Sequence, residues 1–176
     1  MNLDFSKIKL LISDVDGVWT DGTFYKGPDG MEFKRFTVLD GVGTAMARAA
    51  GLKIALISGR YSPATEERAK ELEIEDVYNG KLNKISAYDE LKAKYSLEND
   101  EIAYVGDDII DIEVMKEVAV PIAVSNAMPE VKSIAVYTTK YSGGAGAFRE
   151  AVSWIIVQKG QMEDVLHRMK ERIKNS

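Results

Sequence analysis

Cysteine is absent from the 176-residue chain, and histidine occurs once. The first absence excludes a disulfide framework and any thiolate metal site. The second leaves His167, on the polar side of a C-terminal helical pattern, as a poor metal ligand without a partner of its kind. No stretch approaches the roughly 18 apolar residues of a membrane span, and the opening MNLDFSKIKLL lacks the apolar run of a secretory signal. No block of Lys and Arg stands out, and the net charge is −5, which argues against nucleic acid as a partner. Linkers, repeats and low-complexity segments are missing too. These absences predict a soluble, cytoplasmic protein that engages neither membrane nor nucleic acid.

What is present is ordinary in bulk and ordered in detail. With 45% hydrophobic and 29% charged residues, the length suits a single domain over 1–176 with a sizeable core. Short apolar runs at 8–13, 53–58, 76–78, 102–105, 121–124 and 135–138 read as strands. Helical patterns at 43–50, 63–72, 83–95, 110–118 and 146–157 fall between or after them. Continuous apolar strands alternating with helices predict an α/β fold, a Rossmann-like parallel sheet with helices on both faces. Two segments break the alternation. Residues 20–38 hold two β-prone, aromatic runs around Gly-Pro-Asp-Gly and predict a β-hairpin flap after the first strand. The tail at 161–174 repeats Met162, Val165, Leu166, Met169 and Ile173 at helical spacing, a stripe that packs on this domain or on a neighbour.

Ligands of open parallel sheets bind beyond the carboxyl ends of the strands, and the polar signatures sit there. The first strand runs into Asp14-Val15-Asp16-Gly17, the second into Ser58-Gly59-Arg60, and a later one into Gly106-Asp107-Asp108 with Asp111 a turn on. Lys84 opens a helix after YNGKLN. So many carboxylates on one rim repel one another unless a cation sits among them, and oxygen-only ligands favour Mg²⁺. Ser58, the Gly59 N–H and Lys84 are suited to a phosphoryl group. A carboxylate beside Mg²⁺ can act as nucleophile, and a second carboxyl two residues on can move protons.

DVDG, SGR, a lysine ahead of an amphipathic helix, and GDDxxD occur in the order of the haloacid dehalogenase superfamily, which this constellation resembles. The resemblance implies a Mg²⁺-dependent phosphatase with Asp14 as nucleophile and Asp16 as general acid and base. It further implies that Asp14 and Asp107 bind the metal through side chains and Asp16 through its backbone carbonyl. Ser58 and Lys84 would hold the phosphoryl group, and Asp108 and Asp111 would position its surroundings. Ser58 lies 42 positions after Asp16 and Lys84 26 after Ser58, too few to insert a cap domain. GMEFKRFTVLDGVG, YNGKLNKISAYDEL, AYVGDDIIDIEVM, PIAVSNAMPEV and GGAGAFRE are similar to the capless 3-deoxy-D-manno-octulosonate 8-phosphate phosphatases. That similarity implies a homotetramer whose sites are closed by neighbouring subunits, acting on a phosphorylated sugar acid. Thr37, Asp40, Gly41, Gly59, Arg60 and Arg68 would form the substrate contacts. Related nonulosonate 9-phosphatases tend to carry Glu where this chain has Arg60. Leu39 and Ala45 stand where many members have arginine, and Arg48, a helical turn beyond Ala45, is the candidate to compensate. Other readings stay open on the residues alone: a phosphatase of another phosphosugar or a nonulosonate 9-phosphate, a phospho-accepting receiver, or a non-catalytic scaffold.

Overall fold

The computed structural model describes residues 3–175; Met1, Asn2 and Ser176, the ends of the expected span, lie outside the described residues. Six parallel strands form one sheet: β1 (Leu10–Ser13), β4 (Lys53–Ser58), β5 (Asp76–Asn79), β6 (Ile102–Gly106), β7 (Val120–Ala123) and β8 (Tyr137–Thr138). Their order is β5-β4-β1-β6-β7-β8, so the chain builds outward from β1 in one direction and then returns to its other side. The switch in strand order falls between β1 and β6, which pair in register from Leu10 with Ile102 to Ser13 with Val105. A crevice at the carboxyl ends of these two strands is the expected ligand position in such a sheet.

The central strands β1, β6 and β7 are buried along their whole length because helices cover both faces. On one side α1 (Val38–Ala49), α6 (Ala147–Gln158) and α7 (Met162–Lys174) pack together, and α2 (Pro63–Glu71) meets α1 through Arg68 and Leu72 against Gly41. On the other side α3 (Lys84–Tyr95), α4 (Ile112–Glu117) and α5 (Pro129–Ile134) pack in succession. Part of the tail stripe docks on its own domain, with Val165 buried and Met162 and Met169 against the core, while Leu166 and Ile173 are exposed. No helix among the described residues is long and apolar enough to cross a membrane.

Several expected boundaries shift. The flap contains only two short strands, β2 (Tyr25–Lys26) and β3 (Glu32–Phe33), around a 3-10 turn at Pro28–Gly30 in which Asp29 and Gly30 take φ of 59° and 79°. Val38 belongs to α1, which begins well before residue 43: Thr37 caps it, its hydroxyl accepting from the Leu39 N–H at 3.2 Å. Gly43 sits inside that helix because a Cβ there would lie 2.8 Å from the Arg149 backbone of α6. The segment expected as one helix from 110 begins instead as a 3-10 turn, Ile109–Asp111, and α5 is a helix that the sequence pattern did not announce.

Candidate active site at the carboxyl ends of β1 and β6

β1 delivers Asp14 in line with the sheet, its N–H donating to the Val105 carbonyl at 2.9 Å. The chain then turns sharply, the N–H groups of Val18, Trp19 and Thr20 all converging on the Val15 carbonyl. Trp19 anchors this turn: its ring stacks on Phe148 at 4.1 Å between centroids, and its N–H donates to Ser13 Oγ at 3.0 Å. Gly17 is required twice over. Its φ is +93°, and a Cβ would fall 1.9 Å from an Asp107 carboxylate oxygen. The glycine loop before α6 presses on the same turn, since a Cβ on Gly143 would lie 1.8 Å from the Gly17 carbonyl oxygen. Asn126 ties the two together, donating to the Gly17 carbonyl at 3.3 Å and accepting from the Gly143 N–H at 2.7 Å. The segment SGGAGAFRE is thus a brace under the β1 turn.

Lys84, at the first position of α3 and 2% exposed, forms ion pairs with Asp14 at 2.9 Å and Asp111 at 2.7 Å. Asp111 is saturated: Tyr104 donates to it at 2.6 Å, and the Asp107 and Asp108 N–H groups donate at 2.9 and 3.2 Å. Its place requires Gly106, where a Cβ would come within 2.7 Å of the Asp111 carboxyl carbon. Asp14 accepts from the Val15 N–H at 2.7 Å on the oxygen that faces Lys84, which fixes the plane of the carboxylate. Asp107 has one buried oxygen, Oδ1, with no partner.

The electrostatics follow from three carboxylates around one lysine. Burial pushes Asp14 up, Lys84 opposes that, and the Asp111 charge adds to it. Burial also pushes Asp107 up, reinforced by the charges of Asp14 and Asp111. For Lys84 burial works against the ammonium, but Asp14 and Asp111 outweigh it and hold its pKa above the ordinary value. Oxygens of Asp14, Asp107 and Asp111 lie within 4.8 Å of one another. A donor set of carboxylate oxygens, excess negative charge and an orphaned Asp107 oxygen fit a hard divalent cation. Asp14 and Asp107 are the residues free to hold it, because Asp111 is engaged elsewhere.

Ser58 is buried at the end of β4, its hydroxyl donating to the Arg60 carbonyl at 2.9 Å. Its carbonyl accepts from the Gly80 and Lys81 N–H groups, which draws the loop before Lys84 toward Ser58. A Cβ on Gly59 would stand 3.0 Å from Ile110 and 4.0 Å from the Lys84 stem, so the SGR loop lies over the lysine. Asp14, Ser58, Lys84, Asp107 and Asp111 are brought to one rim, with exposed Asp108 at its edge capping the Ile109 N–H at 2.7 Å.

The expected substrate residues are arranged differently. The two guanidinium nitrogens of Arg60 engage the two carboxylate oxygens of Glu32 in the flap, and Phe24 lies 4.0 Å from the guanidinium carbon. Arg68 donates to the Thr37 carbonyl at 3.2 Å and to Glu71 at 2.7 Å, beside Gly41. Asp40 is buried under α6, accepting from the Arg149 N–H at 3.0 Å, and burial pushes it up to about 6. Arg48 is bound to Glu73 and the Leu72 carbonyl, so it does not take the place of an arginine at position 39 or 45.

Four residues that matter to the geometry escaped the sequence reading: Tyr104, Asn126, Glu32 and Lys34. Lys34 pairs with Asp16 at 2.6 Å, its side chain fully buried. The one signal for it was the alternation Met31-Glu32-Phe33-Lys34, which puts Glu32 and Lys34 on one face of an extended chain.

A family model described as haloacid dehalogenase-like hydrolase matches residues 71–149. The 3-deoxy-D-manno-octulosonate 8-phosphate phosphatase of Escherichia coli strain K12 is 40% identical over 157 residues, 89% of this chain and 84% of that one. The crystal structure of the Moraxella catarrhalis phosphatase of that name, in complex with magnesium ion, phosphate ion and KDO, superposes with a TM-score of 0.89 at 33% identity. It covers 94% of this chain and 95% of its own. The cobalt-bound form of the Haemophilus influenzae phosphatase gives 0.86 at 35% identity, covering 90% and 92%.

Proposed function

The chain belongs to the 3-deoxy-D-manno-octulosonate 8-phosphate phosphatase family of haloacid dehalogenase-like hydrolases, and we propose that it hydrolyses the 8-phosphate of 3-deoxy-D-manno-octulosonate in the cytoplasm. One observation carries the reading: Asp14, Lys84 and Asp111 form a buried, fixed ion-pair chain beside an unpartnered Asp107 oxygen at the switch in strand order.

Asp14 attacks phosphorus as the ester P–O bond breaks, and Asp16 gives its proton to the departing sugar oxygen. Water then attacks the phosphorus of the aspartyl phosphate, Asp16 takes the water's proton, and the Asp14–phosphorus bond breaks to release phosphate. Lys84, the Ser58 hydroxyl and the Gly59 N–H hold the phosphoryl oxygens, while Asp111 keeps Lys84 pointed at them. Asp14, Asp107 and the Asp16 backbone carbonyl hold Mg²⁺, which when bound neutralises the carboxylates and polarises the phosphoryl group. Arg60, with Thr37, Gly41 and Arg68 at the α1–α2 contact, faces the sugar acid.

Among the described residues no cap is inserted between the strands, and the flap exposes Phe24, Tyr25, Met31 and Phe33 at 40%, 63%, 50% and 58%. Such a surface supports a homotetramer in which neighbouring flaps meet and close the sites. The test is phosphate release over a panel of sugar-acid and simple sugar phosphates with Mg²⁺, with EDTA, and for Asp14→Asn. The 8-phosphate should be turned over best, EDTA should abolish turnover, and the variant should lose about 10³-fold or more in kcat. Equal turnover across unrelated phosphosugars would reject the substrate; activity surviving in the variant would reject the nucleophile.

A further inference from the structure

The flap is turned inside out relative to an ordinary surface hairpin. Its Phe24, Tyr25, Met31 and Phe33 side chains are exposed, whereas Glu32 and Lys34 face the domain. The Glu32 side chain is 6% exposed and is held by both Arg60 nitrogens and by the Ser62 hydroxyl at 2.7 Å. The Arg60 hydrogen bond, with help from Ser62, holds its carboxyl down to about 2. Two residues on, the Lys34 side chain is 0% exposed, and its ammonium reaches Asp16 at 2.6 Å and the Thr65 hydroxyl at 3.3 Å. Lys34 also acts electrostatically on Glu32, and Asp16 on Arg60, so two anions and two cations alternate where the flap meets the SGR loop.

A buried ammonium without an anionic partner is expensive, so the depth of Lys34 is explained only by its pair. Asp16 is placed differently. Its side chain is 28% exposed, and Lys34 is the one side chain that holds its carboxylate among the described residues. The turn after Asp14 is rigid in its backbone, through Trp19, Gly17 and Asn126, but none of those contacts fixes the Asp16 carboxylate.

We propose that Lys34 is a positioning residue for Asp16: carried in by the flap, its ammonium fixes the carboxylate that moves protons beside Asp14, so turnover requires a seated flap. Glu32 is the second tooth of the same clasp, setting the register in which Lys34 enters. The inference rests on the proton-transfer role given above to Asp16, but not on which sugar acid is the substrate.

The experiment compares Lys34→Met, Lys34→Gln and Lys34→Arg with the parent enzyme at saturating Mg²⁺, on p-nitrophenyl phosphate and on the sugar-acid phosphate. A misplaced proton-transfer group costs on the order of 10²-fold, so kcat of Lys34→Met should fall by about 10- to 100-fold on both compounds with KM little changed. Lys34→Arg should recover most of the loss. Lys34→Gln, which keeps a donor in the cavity, gives the same reading should the methionine variant not fold. In an Asp16→Asn background Lys34→Met should cost nothing further, because the group it positions is gone. A kcat equal to the parent's, a loss confined to KM, or an undiminished loss on top of Asp16→Asn would each overturn the proposal. The p-nitrophenyl phosphate arm reads Lys34 whichever sugar acid the enzyme prefers, so a wrong substrate assignment leaves this test standing.

Discussion

At the carboxyl ends of β1 and β6 the charges of Lys84, Asp14 and Asp111 are buried and paired with one another. In the flap the two strands are two residues long, the apolar side chains face solvent, and attachment runs through Glu32 and Lys34. The rim is part of the core that happens to be ionic; the flap is a surface element that happens to reach inward. The rim's ion pairs are thus built into the sheet's edge, while the flap is fastened to the domain through Glu32 and Lys34. The two regions should therefore respond to substitution on different scales.

Lys84→Met should have the largest effect. It leaves Asp14 and Asp111 buried around an apolar stem, and removing one partner of a buried ion pair typically costs about 3–5 kcal/mol. Urea denaturation should show that loss together with abolished activity. A variant as stable as the parent would mean that the rim is held by its backbone alone, no differently from the flap.

How much of this was legible in the sequence depends on whether a signal was local. The strands and the order of Asp14, Ser58, Lys84 and Asp107 were readable because an apolar run followed by a polar signature is a contiguous pattern. Lys84 was readable only by its company, since a lysine at a helix start is usually solvated. The start of α1 before Gly43 was not readable: Gly41 looks like a loop residue, yet its smallness serves the contact with Arg68 of α2, as that of Gly43 serves the contact with Arg149 of α6. α5 is a single short stretch opened by Pro129 and closed at Ile134, too brief to show a period. Glu32 and Lys34 were missed for a physical reason, since charged residues alternating with aromatics normally point to solvent, and here the faces are exchanged.

Asp40 probes the contrast at intermediate scale, because it is an acid buried like those of the rim but with no lysine beside it. Its Oδ2 has no partner, and burial, opposed by the Arg149 N–H and the Arg68 charge, raises it from 3.8 to about 6. The sign is set by which state keeps the proton. Below 3.8 both states are protonated and nothing is lost. Between 3.8 and about 6 the unfolded chain releases its proton while the folded one retains it, so stability falls as pH rises, and above that the deficit stays constant. Asp40→Asn keeps the acceptor for Arg149 and removes the charge. It should exceed the parent by on the order of 2 kcal/mol at neutral pH, with the gap closing at acid pH. Urea curves at the two pH values check this, and a gap independent of pH would assign the effect to packing.

The smallest expected change is the one that isolates the flap. Tyr25 and Phe33 pair across β2 and β3 and are exposed at 63% and 58%. Replacing both by serine removes apolar surface that touches solvent, and such substitutions alter stability by less than about 0.5 kcal/mol each. Thermal unfolding of the dissociated chain should hardly move. Assembly should, because the same two rings are the broadest part of the face that a neighbouring flap would cover. Light scattering behind size exclusion should show the double variant as smaller species than the parent, with p-nitrophenyl phosphate turnover falling only as far as flap seating depends on neighbours. If instead the double variant keeps its size and melts several degrees lower, those rings support their own domain, and the flap belongs with the rim.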